Sequence, residues 1–130
     1  MRLFTHHASR FTHHTMAIQQ ESLHSDVWLV RADGRLDQSQ TPLLETALNQ
    51  LLDDGRTVLI VDLSQASYIN SGGLRCLVSA WRRAKQQDGD VLLCGLNDRL
   101  QEVFTMVGFD KVFQIHPTLT AAQRAVKKGK

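Results

Sequence analysis

The sequence predicts an α/β protein: a small mixed, mostly parallel β-sheet with an antiparallel N-terminal edge hairpin, flanked by about four helices. Three observations carry this. The run "TVLIVDL" at 57–63 is Val, Leu and Ile almost throughout, as in a central strand covered on both faces. Beyond residue 37, stretches of strand character alternate with stretches of helical periodicity, which parallel strands joined by helical crossovers require. Before that point, "AIQQESLHSDVWLVRADGRLD" alternates apolar and polar residues in two short pieces split by a polar break.

Taken in order, "MRLFTHHASRFTHHT" carries four histidines in two pairs and little that could pack. Residues 1–15 are therefore expected to be a disordered or loosely attached extension, and no nearby cysteine or carboxylate completes a metal site. Ordered patterning begins directly after Met16, which makes Met16 an alternative start. Strands are expected at 17–23 and 27–33, with "HSD" as the turn and "DGRLD" as the exit. From Gln38 to Asp53, Leu43, Leu44, Ala47, Leu48, Leu51 and Leu52 recur at helical spacing. Pro42 suits a first turn, Ser39 or Gln40–Thr41 are candidate caps, Glu45 supports that end, and "DDG" closes it.

After the central strand and "SQASYINSGG", Leu74, Leu77, Val78 and Trp81 form one face of a helix of about four turns. "VLLCGL" reads as a second buried strand. "NDRLQEVFTMVGF" places Leu100, Val103, Phe104 and Val107 on one stripe, with Asn97 or Asp98 as cap and Gly108 at the end. "KVFQI" is expected to be a short last strand, and "TLTAAQRAV" a last helix starting near Thr118 or Thr120. One domain over 16–126 and a basic tail at 127–130 complete the organisation.

One hundred and thirty residues can bury a real core without disulfides or metal. A net charge of +2, from 15 basic and 13 acidic side chains, gives no clustered basic face for nucleic acid. No apolar run approaches the roughly 20 residues needed to span a bilayer, and the N-terminus lacks the apolar centre of a signal peptide. A cytoplasmic protein without membrane insertion is expected. Cys76 and Cys94 sit in apolar contexts and read as small core residues rather than a disulfide. Trp28 and Trp81 read as core or core-edge, and Phe104, Met106, Phe109 and Phe113 as packing, with an exposed pair among them offering a dimer contact.

The chemistry concentrates in "YINSGGL" at 68–74, where a strand region meets a helix, the place in open α/β folds where ligands gather. Ser71 is positioned as an N-cap, while Gly72 and Gly73 strip side chains so that a partner can approach the backbone. A nucleophile elbow fails because Ile69 stands where glycine is required, and neither His24 nor His116 has an evident orienting acid. A P-loop would need Lys-Ser or Lys-Thr after the glycines, which "SGGLRC" lacks, and no dinucleotide fingerprint is present. An enzyme is not expected. What remains is structural capping or a phosphoacceptor, whose added charge of about −1.5 to −2 would be tolerated by free amides at a helix start.

Together "GRLD" at 34–37, "VLIVDLSQASYINSGGLRCL" at 58–77, "VLLCGL" and "VFTMVGFDKVFQI" at 103–115 resemble the STAS family, and within it the anti-sigma factor antagonists. The resemblance spans nearly all of 17–126. It implies a cofactor-free binding module whose partner is an anti-sigma factor that is a serine kinase of the histidine-kinase-like ATPase type. Phosphorylation of the loop serine breaks that complex and a metal-dependent phosphatase restores it. By position, Ser71 is the implied phosphoacceptor. Asp62 and Ser64 are implied to lie on the same rim, and the helix from Gly73, with Leu74 and Arg75, to form part of the docking face. Asn70 stands where the family usually has aspartate and Gly72 where it has serine or threonine, which leaves Ser71 the only hydroxyl of the corner. Asp37 is a further docking candidate, although an acid before a helix also serves the dipole. Arg75, Arg82 and Arg83 are expected to be solvated, one of them available to an acidic partner surface. Two other roles fit the same family: an unphosphorylated subunit of a larger assembly such as a lipid-transport ABC system, and a nucleotide- or small-molecule-sensing module.

Overall fold

The computed structural model describes residues 17–24 and 26–128, with His24, Lys127 and Lys128 described in their backbone alone. The expected extension at 1–15 and the last residues of the expected tail lie outside them. The chain opens with strands β1 (Ile18–His24) and β2 (Val27–Ala32), which pair antiparallel as the alternating pattern requires. The remaining strands of the main sheet are β4 (Val58–Asp62), β6 (Asp90–Cys94) and β7 (Ile115–His116), giving the order β1-β2-β4-β6-β7. All pairs beyond the hairpin are parallel. Every residue of β4 is buried, which is why its sequence lacks alternation.

Side-chain alternation along these strands divides the core in two. On one face Val30, Ala32, Leu59, Val61, Val91 and Leu93 pack against α1 (Thr41–Asp53), α2 (Ser71–Gln86) and α3 (Asp98–Met106). On the other, Val27, Leu29, Val58, Ile60, Leu92 and Cys94 meet α4 (Leu119–Lys128), through Ala122 and Val126. Thr118 caps α4, its hydroxyl accepting from the Ala121 amide at 3.1 Å, and the helix runs to Lys128, two residues into the expected tail. Cys76 and Cys94 are free and buried, and burial pushes both thiols up to about 12.

Several expectations need correction. "DGRLD" contains a strand, β3 (Gly34–Leu36), which pairs in parallel with β5 (Ala66–Ile69) as a separate two-stranded sheet. Neither segment shows a strong apolar pattern, because burial is confined to their ends, Leu36 in β3 and Ala66 and Ile69 in β5. "KVFQI" is not a strand at its start: Phe109–Lys111 form a 3₁₀ turn, and only Ile115–His116 pair with β6. The reason is aromatic packing, since Phe109 meets Phe104 edge-to-face at 5.5 Å and Phe113 at a tilt at 5.3 Å between ring centroids, and Phe113 meets Trp81 at 6.2 Å. Met106, at the end of α3, is 80% exposed and does not pack, and Val107 and Leu43 are exposed rather than buried on their stripes. Arg83 is not simply solvated: its guanidinium bridges to Asp53 at 2.8 Å and Asn49 at 3.1 Å, fixing α2 against α1. Glu45 lies beyond the first turn of α1 and does not serve its start.

Candidate functional site

The small β3–β5 sheet delivers two helix starts to one corner. Register places Leu36 beside Ile69, and the Asn70 amide donates to the Leu36 carbonyl at 3.0 Å, so the chain leaves β5 directly beside the exit of β3. One residue later α2 begins. Its cap is Asn70, not Ser71: Asn70 is extended (φ −89°, ψ 177°), and its Oδ1 accepts from the Gly73 amide at 2.8 Å. The same oxygen accepts from the Thr41 hydroxyl at 3.0 Å, so a single amide oxygen both caps α2 and ties it to the first turn of α1. The sequence suggested Thr41 as a cap for its own helix; it serves the neighbouring one.

Ser71 therefore enters the helix as its first residue and is exposed. Among the described residues its hydroxyl has no hydrogen-bond partner. Asn70 Oδ1 satisfies the Gly73 amide and the Asn70 carbonyl that of Leu74, at 3.1 Å. The amides of Ser71 and Gly72 are left as donors at the positive end of a 16-residue helix.

The two glycines have different reasons. A Cβ on Gly73 would stand 2.6 Å from Ile69 Cγ1, so Gly73 is buried packing space rather than an approach path. A Cβ on Gly72 would meet Asn70 Oδ1 and Thr41 Cγ2 at 3.5 Å each, ordinary contact. Gly72 alone fits the expected role of clearing access.

Asp37 closes the corner from the other side. Its Oδ1 accepts from the Ser39 hydroxyl at 2.8 Å and from the Ser39 and Gln40 amides at 3.0 and 3.3 Å. The Ser39 hydroxyl, followed by its backbone amide, holds the Asp37 carboxyl below the usual carboxylate range. Asp37, Asn70 and Ser71 line one open depression of about 560 Å³ together with Arg35, Gln38, Ser39 and Tyr68. Arg35 and Tyr68 escaped the sequence analysis. They are register partners on β3 and β5, and the guanidinium lies 4.3 Å from the Tyr68 ring centroid. Both residues stand inside the motifs that carry the family resemblance, but only the unforeseen pairing of those strands brings them together.

Asp62 and Ser64 do not line this depression. Asp62 is 6% exposed, bonded to Arg31 Nε at 3.4 Å and to the Ser64 amide at 2.9 Å, so it shapes the turn after β4 rather than presenting charge. Ser64 is exposed on that turn and packs against Gly95, whose positive φ of 80° and missing Cβ let the two backbones approach. On α2, Leu74 is half-buried against the core while Arg75, one turn beyond Ser71, is exposed. No group of three or more His, Cys, Asp or Glu among the described residues could hold a metal ion, and none of their helices is long and apolar enough to cross a membrane.

Comparison with known proteins agrees with this fold. A STAS domain model matches residues 3–122. BtrV of Bordetella bronchiseptica, a candidate anti-sigma factor antagonist, is 31% identical over 94 residues, 72% of this chain and 81% of its own. The crystal structure of an anti-sigma factor antagonist from Mycobacterium paratuberculosis superposes with a TM-score of 0.77 at 27% identity, covering 85% of this chain and 92% of that one. The Bacillus cell fate determinant SpoIIAA, solved in its phosphorylated form, shares the fold with a TM-score of 0.71 at 20% identity, over 85% of this chain and 99% of that one.

Proposed function

The chain belongs to the STAS domain family, and we propose that within it the protein is an anti-sigma factor antagonist, a non-enzymatic module that docks on an anti-sigma factor and is released by phosphorylation of Ser71. The observation that carries this reading is the exposed Ser71 hydroxyl on the N-terminal tip of α2, beside amides that have no acceptor among the described residues. A relative and a neighbour named as antagonists support the binding role, and a phosphorylated protein of the same fold supports the switch. The docking surface comprises Ser71, Gly72, Leu74 and Arg75 of α2, with Asp37 and Asn70 beside it and Gly73 packed beneath; Asp62 and Ser64 belong to the turn after β4.

The partner is an anti-sigma factor that is itself a serine kinase. It passes the terminal phosphoryl group of ATP to Ser71 Oγ, the hydroxyl proton leaving and ADP departing. The product carries about −1.5 to −2 charge at the helix tip, where the Ser71 and Gly72 amides and the dipole accept it without refolding. Its effect falls on the bound partner, which meets added negative charge where it met a neutral hydroxyl. A metal-dependent phosphatase resets the surface, and the setting is the cytoplasm. Asn70 in place of a carboxylate is compatible with this: capping α2 and holding Thr41 need an acceptor oxygen, which an amide supplies.

The test is to incubate the protein and ATP with anti-sigma factor serine kinases from its own genome, and to locate phosphate by mass spectrometry. Phosphate on Ser71 is expected, with none on the Ser71→Ala variant. Ser71→Asp is expected to weaken kinase binding in calorimetry at least tenfold while the unfolding transition stays in place. Unchanged affinity of the Asp variant would overturn the switch.

A further inference from the structure

We infer that Arg35 is the internal counter-ion of Ser71 once that residue is phosphorylated, a latch between β3 and the tip of α2 that withdraws the cation from the docking surface as the phosphate appears. The inference deepens the phospho-switch and rests on Ser71 as its site.

Arg35 and Ser71 line the same depression, and Arg35 is the one cationic side chain among its lining residues. No carboxylate pairs with Arg35 among the described residues; the ion pairs there belong to Arg31, Arg83 and Lys85. Its guanidinium instead rests over the ring of its register partner Tyr68, three residues before Ser71 in the chain. Asp37, the other charged group of the depression, is hydrogen-bonded to Ser39 and Gln40 and meets Arg35 only through space, so it balances that charge without forming an ion pair with it. Arg75 is the further exposed cation nearby, one turn along α2.

The charges then decide the outcome. Before modification, Arg35 and Asp37 leave the depression close to neutral. A phosphoryl group adds about −1.5 to −2, and a planar guanidinium offers it two parallel N–H donors. An exposed cation–π contact is the weaker of the two options, so the guanidinium leaves Tyr68 for the phosphate. A docking partner thereby meets a new anion and loses an accessible cation in one event.

The experiment installs phosphoserine at position 71 during translation, which removes any dependence on a kinase. The second ionisation of that phosphate is followed by phosphorus NMR in the parent, in Arg35→Gln and in Arg75→Gln. A cation beside the dianion lowers its pKa, so Arg35→Gln is expected to raise the value by roughly 0.5 pH unit, and Arg75→Gln by less. Tyr68 is the sole tyrosine of the chain, so its ring protons give a second readout. Phosphorylation is expected to move them toward the position they take in unphosphorylated Arg35→Gln protein, and to leave them still in phosphorylated Arg35→Gln. If the glutamine variant fails to fold, Arg35→Met is used, which also removes the cation, and its phosphate pKa and ring shifts are judged by the same criterion. A phosphate pKa indifferent to Arg35, or Tyr68 resonances unmoved by phosphorylation in the parent, overturns the latch. A kinase that fails to modify Ser71 would overturn the proposed function and leave this result standing.

Discussion

Removing the Asn70 side chain separates the cap from the hydroxyl it positions. In Asn70→Ala, the Gly73 amide loses its acceptor at 2.8 Å and the Thr41 hydroxyl loses one at 3.0 Å. An N-cap of this kind is worth about 1 kcal/mol and a neutral side-chain hydrogen bond roughly 0.5–1.5 kcal/mol. The Thr41 hydroxyl keeps the Leu36 carbonyl within 3.3 Å, so its loss falls at the low end. The sum is roughly 1.5–2 kcal/mol, and with a urea slope of about 1.5 kcal/mol per molar the unfolding midpoint should fall by about 1 M. Asn70→Asp keeps an acceptor for both donors and adds a charge favoured by the helix dipole, partly offset by Asp37, so it should unfold close to the parent. Urea titrations followed by Trp fluorescence give all three midpoints. An alanine variant within about 0.3 M of the parent, or an aspartate variant as weak as the alanine one, would refute the capping role assigned to Asn70.

Gly73→Ala should cost roughly 1–3 kcal/mol in the same titration, because its Cβ would stand 2.6 Å from Ile69 Cγ1, whereas Gly72→Ala should cost nothing and gain helix propensity. Asp37 has its pKa lowered by the Ser39 hydroxyl, so the stability it contributes is complete above the ordinary value of 3.8 and is lost as pH falls below it. The stability gap between parent and Asp37→Asn should therefore shrink on acidification below that value, and a constant gap would contradict the assignment. Cys76 and Cys94, both pushed up to about 12 by burial, should resist iodoacetamide at pH 8 in native protein and react in urea, as intact-mass spectrometry would show.

What the sequence made legible follows from what each segment buries. Strand β4 is enclosed on both faces and announces itself as an unbroken apolar run; α1 and α2 expose one face and show their period. Strands β3 and β5 are short and half-exposed, and their identity lies in pairs such as Gly34 with Ala66 and Leu36 with Ile69, far apart in the chain, which no local pattern encodes. The same limit explains the site. Ser71 and its neighbours were legible because strand, polar turn and helix are adjacent in sequence. Arg35, Tyr68 and the Thr41–Asn70 contact were not, since each depends on that small sheet. The cap was misassigned by one residue because Asn and Ser are equally good caps, and only the backbone at Asn70 decides between them.

The small sheet also bears on how a switch of this kind can act without unfolding its carrier. The core of the domain lies between the main sheet and its helices, and Ser71 stands outside it. Beneath Ser71, the Asn70 oxygen joins α1 to α2, and the Asn70 amide joins β5 to β3. A charge added above this frame has rigid amides on one side and Arg35 within the same depression on the other. On the proposed reading its work is spent on the partner rather than on the fold, because the groups that would receive it are already part of the folded frame. A flexible loop bearing the same serine would dissipate that charge by moving away, and a buried one would lose stability before it lost a partner. The short β3–β5 pair, the element least visible in the sequence, is what keeps the hydroxyl both outside the core and fixed in position.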